Sequence, residues 1–414
     1  MSSVPLSQRA GGPDLARGIA LLGIALANTV GWLHGSQWSV LLKQADATAL
    51  DRAVDVLIAL TADNRGFPLF ALLFGYGIGI LHRRSQERGE TARRFVLRML
   101  RRHLVLLVIG LLHGILLFSG DILVAYALIG MLTVLLMTRR RIVMPIAAVL
   151  ALPALGLWGW SDAVIGLGGG DGYAAASAPD YLTGLELRTR EVLRGLVLTP
   201  LLDLGLLTPM AIGAIAARLR LLEEVRANRD LLMPLARWGL LSGLLGALPL
   251  TAVLVLDPTH AHLRSELVLG TLGVLHQYSG LAFALGLAAG AALLAETVRR
   301  RSARGARRGE HLSGVGMRGI EALGAASLSA YIGQSVVFLA LFPPYGLDLG
   351  ARLGTAGAAS IVLLTWITMI PLAWALHAHR RRGPLEHLLR LLAGSTAPHG
   401  TPAAAAGPRR GARS

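Results

Sequence analysis

A histidine and an aspartate stand eight residues apart inside one apolar run, LLHGILLFSGDILVAYALIGML. His113 precedes and Asp121 follows a serine–glycine pair that favours a tight turn. Ionisable groups in so apolar a setting are costly and usually functional. The spacing therefore predicts a site in which His113 and Asp121 do acid–base chemistry or bind a ligand. Tyr126, on the segment after the turn, is predicted to line the same pocket.

A structural role for the same pair remains an alternative. An aspartate at a helix N-terminus caps free N–H groups, and a buried histidine can bond a neighbouring carbonyl. The segment from His103 to Phe118 is predicted to be a helix of sixteen residues. Such a helix is about 24 Å long, against a hydrocarbon core of roughly 30 Å. Unless the arginines at 98 to 102 extend this helix inward, the turn before Asp121 is then expected below the membrane surface, beside protein or a water-filled cavity.

Polar residues also interrupt the first apolar segment, PDLARGIALLGIALANTVGWLHG. Asp14 and Arg17 are three residues apart and are predicted to pair. Asn28 lies eleven residues beyond Arg17, close to three helical turns, and so returns to nearly the same face. His34 follows just outside the segment. These residues could contact a ligand. Alternatively, Arg17 anchors the helix to lipid and Asn28 forms an interhelical hydrogen bond.

A broken segment, residues 49 to 83, places an arginine before a helix start. Its first half carries Asp51, Arg52 and Asp55 and is predicted to lie at the membrane interface or to re-enter. Arg65 precedes FPLFALLFGYGIGI, whose proline favours an early helical position. A helix N-terminus beside a guanidinium predicts an anion site, with helix capping or lipid anchoring as the alternative.

A polar seam follows one face of the segment GIEALGAASLSAYIGQSVVFLALF. Its members recur at helical spacing: Ser327, Tyr331, Gln334, Ser335 and Phe338. Tyr331 and Gln334 are predicted to line a substrate pocket. Interhelical hydrogen bonding is the alternative role of the seam.

The composition indicates a polytopic membrane protein. Of 414 residues, 54% are hydrophobic and only 15% are charged, far fewer charges than a soluble chain of this size carries. The chain has no cysteine, which excludes disulfides, thiolate metal sites and thiol nucleophiles. Its net charge of +16 lies in short arginine clusters between apolar runs, where arginines bind anionic lipid and fix orientation. We therefore expect the lipid bilayer as partner, no nucleic acid and no metal; a homodimer is left open.

About ten transmembrane helices must position these residues, in an all-α bundle. The predicted spans lie near residues 18–33, 66–81, 103–118, 122–137, 142–160, 200–217, 234–256, 266–296, 320–342 and 354–376. Arginine clusters fall in every second loop, so the positive-inside rule predicts both termini in the cytoplasm of a bacterial cell, with the chain in its cytoplasmic (inner) membrane.

The predicted organisation has five parts. A cytoplasmic segment, residues 1–13, precedes five spans in residues 14–160 and five more in residues 200–393. The external loop between them, residues 161–199, is predicted to begin as a flexible linker and to continue from Tyr181 as a helix on the outer surface. The tail, residues 394–414, is low in complexity and is predicted to be a disordered cytoplasmic segment.

The YeiB-like bacterial membrane proteins, classed as domain of unknown function 418, resemble this chain over residues 13 to 393. The resemblance lies in five stretches: DLARGIALLGIALANT, FPLFALLFGYGIGI, LLHGILLFSGDILVAYALIGML, LSAYIGQS and RGPLEHLLRLL. That family is similar to the transmembrane acyltransferase superfamily, which includes heparan-α-glucosaminide N-acetyltransferase, an enzyme that carries acetyl from cytosolic acetyl-CoA to a sugar amine. The resemblance implies an acyl-CoA or acetyl-CoA donor, and Asn28 matches an active-site asparagine of the group. His34 lies nearer to that asparagine than the group's catalytic histidine does.

The expected function is therefore that of a membrane-embedded acyltransferase acting from a cytosolic acyl-CoA on an envelope sugar or lipid. Acyl transfer needs a base for the acceptor and donors for an oxyanion, which His113 or His34 with Asn28 and Tyr126 could supply. A transporter or flippase would use the same residues to bind substrate or relay protons. A non-catalytic envelope subunit would need none of them chemically.

Overall fold

A computed structural model describes residues 11–170, 172–306 and 315–394. In these residues the fold is helical, and the only β pairing is an isolated bridge between Trp38 and Gln44. The α-helices are α1 Gly11–Ala27, α2 Ala49–Thr61, α3 Gly66–Glu87, α4 Ala92–Leu116, α5 Leu123–Met137, α6 Val143–Val164, α7 Tyr181–Leu202, α8 Leu207–Arg218, α9 Arg229–Leu256, α10 Glu266–Ala306, α11 Val315–Ala325, α12 Ser327–Leu341, α13 Leu349–Arg352, α14 Thr355–Ala378 and α15 Pro384–Leu392.

The described helices make the chain a multi-pass membrane protein. Seven helical segments are long and apolar enough to cross a bilayer, and an eighth is added if the bent pair α11 and α12 forms one span. The two other predicted spans correspond to α4, whose first half is rich in arginine, and to α5, which has only 15 residues. The all-α class is confirmed, whereas the count of ten remains a prediction.

The helices run alternately between two ends of the bundle. At one, which we call the arginine end, Arg218 at the end of α8 donates to the carbonyl oxygen of Met137 at the end of α5, at 2.6 Å. At the other, the loop end, Tyr181 Oη donates to the Leu116 carbonyl at the end of α4, at 3.1 Å. Side-chain hydrogen bonds thus tie neighbouring helix termini together at both ends.

Close backbone contact joins α3 to α8 in the middle of the bundle. A Cβ at Gly213 would lie 1.8 Å from the Leu72 carbonyl oxygen, and one at Gly75 would lie 2.0 Å from the Met210 carbonyl oxygen. Only glycine fits at either position without moving a helix. This small-residue contact is the usual way in which membrane helices pack, because lipid supplies no hydrophobic force between them.

The prediction of a short third span was wrong. α4 begins at Ala92 rather than His103 and has 25 residues, about 37 Å of helix. Thr91 accepts the Arg94 N–H at 3.4 Å and so caps the early start. The arginines that precede His103 thus belong to the helix, and the turn before Asp121 lies at the loop end of the bundle.

Residues 161–170 and 172–180, which were predicted to be a flexible linker, make helical and packing contacts, and their flexibility stays a prediction. α6 continues to Val164, and the Trp38 N–H donates to the Gly170 carbonyl oxygen at 2.7 Å. Ala175 and Ala178 are buried. The helix predicted from Tyr181 is confirmed as α7.

The ninth predicted span is broken rather than continuous. α11 and α12 meet at Ala326 with a bend of 90°. Glu386 of α15 accepts the N–H groups of Leu328 and Ser329 at 2.7 and 3.2 Å. A carboxylate that satisfies the first N–H groups of α12 stabilises a separate helix start there. The bend sets the direction of α12, which carries Ser335.

Candidate functional site

Three polar side chains form a continuous hydrogen-bonded line near the loop end, which we call the relay. His113 Nδ1 lies 2.8 Å from Asp121 Oδ1, and His113 Nε2 lies 2.8 Å from Ser335 Oγ. The His113 side chain is 0% exposed and that of Asp121 is 2% exposed. With Nδ1–H donated to the carboxylate, Nε2 accepts the Ser335 hydroxyl proton. This is the connectivity of a serine–histidine–aspartate triad.

The turn between α4 and α5 builds one side of the relay. Asp121 Oδ2 accepts the Val124 N–H at 3.0 Å, so the carboxylate caps α5 with one oxygen while it holds His113 with the other. A Cβ at Gly110 would lie 2.8 Å from the Val124 nitrogen and 3.1 Å from Asp121 Oδ2. Glycine at this position allows the two helices to approach. The capping role and the site role predicted for Asp121 are therefore compatible.

Two further polar groups lie beside the relay. The Tyr331 ring centroid lies 5.0 Å from that of His113, and the buried Tyr331 hydroxyl faces the Asp121 carboxylate. Neither amide atom of Gln334, a residue that is 2% exposed, has a hydrogen-bond partner among the described residues. Because buried polar groups are normally bonded, the Gln334 amide is suited to a ligand oxygen.

Ser335 is the site residue that the sequence reasoning missed. It was placed on the polar seam of α12 but was given no chemical role. Its spacing of four residues from Tyr331 put both on one helix face, which was the available signal. Nothing local indicated that this face would meet His113, which is 222 residues away.

Tyr126 does not share a hydrogen bond with the relay. Its hydroxyl donates to the Phe67 carbonyl oxygen at 2.8 Å, and its ring stacks on Phe70 at 5.7 Å between centroids. It therefore ties α5 to the start of α3.

Asn28 and His34 lie in the loop that follows α1. Asn28 opens a 3₁₀ turn that ends at Gly31 and is half-buried. The His34 N–H donates to the Gly350 carbonyl oxygen at 3.2 Å, and His34 Nε2 lies 3.9 Å from Asp348 Oδ1. Burial lowers the pKa of His34 below its usual value, and Asp348 opposes this more weakly. His34 thus connects two loops and has no hydrogen bond to the relay.

Asp14 and Arg17 form the predicted pair, but at the far end of α1 from Asn28. Arg17 Nη1 donates to Asp14 Oδ1 at 2.7 Å, and Arg17 Nη2 donates to the Leu73 carbonyl oxygen at 3.1 Å. The pair joins α1 to α3.

Arg65 belongs to a second polar centre, at the break between α2 and α3. Arg65 Nη1 lies 3.0 Å from His276 Nε2, and Arg65 Nη2 donates to the Gly243 carbonyl oxygen at 3.1 Å. Lys43 Nζ lies 3.0 Å from Asp63 Oδ2. We call this group the ionic cluster: Lys43, Asp55, Asp63, Arg65 and His276. All five residues are buried, so α2 turns the face that carries Asp55, at 0% exposure, into the bundle, while Leu50 and Leu57 of α2 are exposed.

The buried pair in the ionic cluster predicts a large effect on stability. Lys43→Met is expected to destabilise the protein by about 3 to 5 kcal/mol, because it leaves the Asp63 carboxylate buried without its cation. Thermal unfolding in lipid nanodiscs measures the loss. Adding Asp63→Leu to Lys43→Met should restore most of it.

A surface pair provides the matched control. Arg190 and Glu186 also form an ion pair, but both side chains are more than 60% exposed. Arg190→Met is therefore expected to change stability little. Equal stability of the Lys43→Met and Arg190→Met variants would contradict a charged, coupled cluster.

Comparisons with known proteins identify relatives of this chain. A family model described as "Protein of unknown function (DUF418)" matches residues 216–396. YeiB of Escherichia coli (strain K12), an uncharacterized protein, is 35% identical over 123 residues, 29% of each chain. Over residues 216–396 the chain is therefore similar to the DUF418 proteins.

Two Bacillus proteins are also similar to part of this chain. The uncharacterized protein YxaH of Bacillus subtilis (strain 168) is 31% identical over 144 residues, 32% of this chain and 33% of YxaH. An uncharacterized 39.9 kDa protein in the amylase 3' region of Bacillus acidopullulyticus is 33% identical over 132 residues, 32% of this chain and 35% of that protein. The aligned part spans about a third of the length of these relatives.

The DUF418 region contributes only part of the relay. Ser335, Tyr331 and Gln334 lie within residues 216–396, whereas His113 and Asp121 precede them. The relay therefore joins the DUF418 region to the first half of the bundle.

Proposed function

We propose that this protein is a membrane-embedded acyltransferase, which moves an acyl group from a cytosolic acyl-CoA to an envelope sugar or lipid. The observation that supports this proposal is the relay, in which Asp121, His113 and Ser335 are linked by two hydrogen bonds of 2.8 Å. Such a line of groups activates a serine hydroxyl for attack on an acyl carbon.

The reaction has two balanced steps. His113 Nε2 takes the Ser335 hydroxyl proton as Oγ attacks the thioester carbonyl carbon; the carbon–sulfur bond breaks, and CoA leaves with that proton. An acceptor hydroxyl or amine then attacks the Ser335 ester, gives its proton to His113, and releases Ser335 Oγ, which recovers the proton. Asp121 keeps the imidazole oriented through both steps. The buried amide of Gln334, which has no hydrogen-bond partner among the described residues, is suited to stabilise the oxyanion.

We infer a finer topology from the arginine clusters: ten spans in the bacterial cytoplasmic membrane, with both termini in the cytoplasm. The arginine end then faces the cytosol, which supplies the acyl-CoA, and the loop end faces the envelope. The relay lies near the loop end, which suits an external acceptor and requires the acyl-CoA to reach Ser335 through the bundle from the arginine end.

Single cysteines test this topology, because the native chain has none. Ser177→Cys at the loop end should react with a membrane-impermeant thiol reagent on intact cells. Ser302→Cys, near the arginine end of α10, should react only after the cells are permeabilised. Labelling of Ser302→Cys from outside would contradict the orientation.

The ionic cluster favours a second candidate function, transport. Buried charges beside a break in a membrane helix are typical of sites that bind ions or polar substrates within the bilayer. A transporter would move its substrate through the bundle without breaking a covalent bond, and the relay would then bind substrate or carry protons.

One experiment separates the two functions. The purified protein in nanodiscs, given acetyl-CoA and a mixture of envelope sugars and lipids, should release free CoA and form an acetylated product. Mass spectrometry should find that product in cells with the protein and not in cells without it. Uptake of solute into proteoliposomes with no CoA release would overturn acyl transfer in favour of transport.

A further inference from the structure

A small cavity reaches the loop end beside the relay, and we call it the Arg188 pocket. Its volume of about 10 Å³ is close to that of one water-sized group. Its wall includes four aromatic rings and two polar side chains: Trp32, Phe118, Tyr173, Tyr345, Ser119 and Arg188. Ser119 lies two residues before Asp121, so the pocket adjoins the turn that carries the relay.

Arg188 projects into the bundle from α7, although the outer surface of that helix is exposed. The Arg188 side chain is among the largest that are fully buried, at 2% exposure. Its Nε donates to the Ile115 carbonyl oxygen at 2.9 Å, and its Nη1 donates to Tyr345 Oη at 3.2 Å. Its Nη2 is buried and has no partner among the described residues.

The guanidinium of Arg188 has a charge that the described residues leave unpaired. None of their ion pairs includes Arg188. The carbonyl at the end of α4 and the Tyr181 ring, whose centroid is 5.2 Å from the guanidinium carbon, compensate it only in part. A buried cation with a free N–H is costly unless an anionic oxygen takes that position.

The backbone nearby leaves room for the guanidinium. A Cβ at Gly184, one turn before Arg188 on α7, would lie 3.0 Å from Arg188 Nη1 and 3.4 Å from Tyr345 Oη. The glycine thus allows the planar group to lie between α7 and Tyr345.

We infer that the Arg188 pocket binds an anionic oxygen of the acyl acceptor, a phosphate or carboxylate, and so holds the acceptor about one turn of α12 from Ser335, since Leu339 of α12 lines the pocket. This inference rests on the proposed function and adds the acceptor class to it. One oxygen fits the present volume beside Arg188, and the rest of the acceptor would lie at the mouth of the pocket. The acceptor is therefore a negatively charged sugar or lipid head group.

The test compares charged with neutral acceptors in the whole protein. Arg188→Met is expected to lower kcat/KM for the acceptor glucose 1-phosphate, relative to kcat/KM for the acceptor glucose, by about tenfold or more. The substitution removes a charge-assisted hydrogen bond that only the anionic acceptor makes. Phosphatidylglycerol nanodiscs, compared with nanodiscs of a zwitterionic lipid, show whether the anion comes from lipid instead. Arg190→Met, which alters an exposed arginine two residues away, should leave the ratio unchanged.

A binding measurement separates this inference from the proposed function. Glucose 1-phosphate should raise the melting temperature of the native protein and of the Arg190→Met variant but not of the Arg188→Met variant. If the Arg188→Met variant unfolds, Arg188→Lys takes its place, because lysine keeps the positive charge. The Arg188→Lys variant should retain part of the melting-temperature shift. An equal loss of kcat/KM for glucose 1-phosphate and for glucose would overturn the pocket. A rise in melting temperature with glucose 1-phosphate that persists in both Arg188 variants would also overturn it. If no CoA is released but the melting temperature still rises with glucose 1-phosphate in an Arg188-dependent way, the acyltransferase proposal is overturned and the pocket is retained.

Discussion

His113→Gln is expected to abolish acyl transfer while the protein remains folded. Glutamine can keep a hydrogen bond to Asp121 or Ser335, but it cannot take the proton from the Ser335 hydroxyl. In serine–histidine–aspartate enzymes the loss of the histidine lowers kcat by about 10³-fold or more. CoA release from acetyl-CoA in nanodiscs, measured beside thermal unfolding, gives both quantities.

His262→Gln is the matched control. The His262 side chain is 91% exposed and lies in the loop after α9. We expect CoA release by this variant to equal that of the native protein. Full activity of His113→Gln, with a normal melting temperature, would exclude His113 as the base and leave the relay a structural feature.

The adjacency of His113 and Asp121 could be predicted because it is local. A short turn separates them, so any helix–turn–helix geometry brings their side chains near. Ser335 could not be placed beside them, because its position depends on the bend between α11 and α12. That bend depends in turn on Glu386, a residue of α15 that binds the start of α12.

The ionic cluster was missed for a different physical reason. The charged residues make α2 amphipathic, and so it was predicted to lie at the membrane interface or to re-enter. In the structure Arg52 Nη1 lies 3.5 Å from Asp55 Oδ2, and Lys43 and Asp63 form another buried pair close by. Lys43 and Asp63 lie in the loops on either side of α2, and periodicity within a helix carries no information about partners outside it.

The length of α4 shows the limit of hydropathy as a guide to helix bounds. Its first turns are rich in arginine and were assigned to a loop, because hydropathy measures affinity for lipid rather than for helix. Arginine is a good helix former, and Thr91 caps the start. Helix bounds at the arginine end were therefore less predictable than the apolar centres of the spans.

Ser335→Ala is expected to abolish formation of a covalent acyl-enzyme. If Ser335 Oγ is the nucleophile, the native protein given acetyl-CoA without an acceptor should carry an acetyl ester on Ser335, detectable by mass spectrometry of the digested chain. Removal of the hydroxyl leaves His113 with no nucleophile to activate. The ester should be absent and acyl transfer should fall by about 10³-fold or more.

Ser335→Cys provides a second measurement, because its thiol would be unique in a chain without cysteine. Reaction with acetyl-CoA should form a thioester there and block that thiol from a small alkylating reagent. Ser327→Cys, at the other end of the α12 seam, is the matched control and should stay reactive after the same treatment. A native protein that transfers acetyl groups with no ester on Ser335, together with an active Ser335→Ala variant, would contradict the two-step mechanism. Direct attack by the acceptor, with His113 as its base, would then be the remaining route, since Asp121 orients the same imidazole in either case.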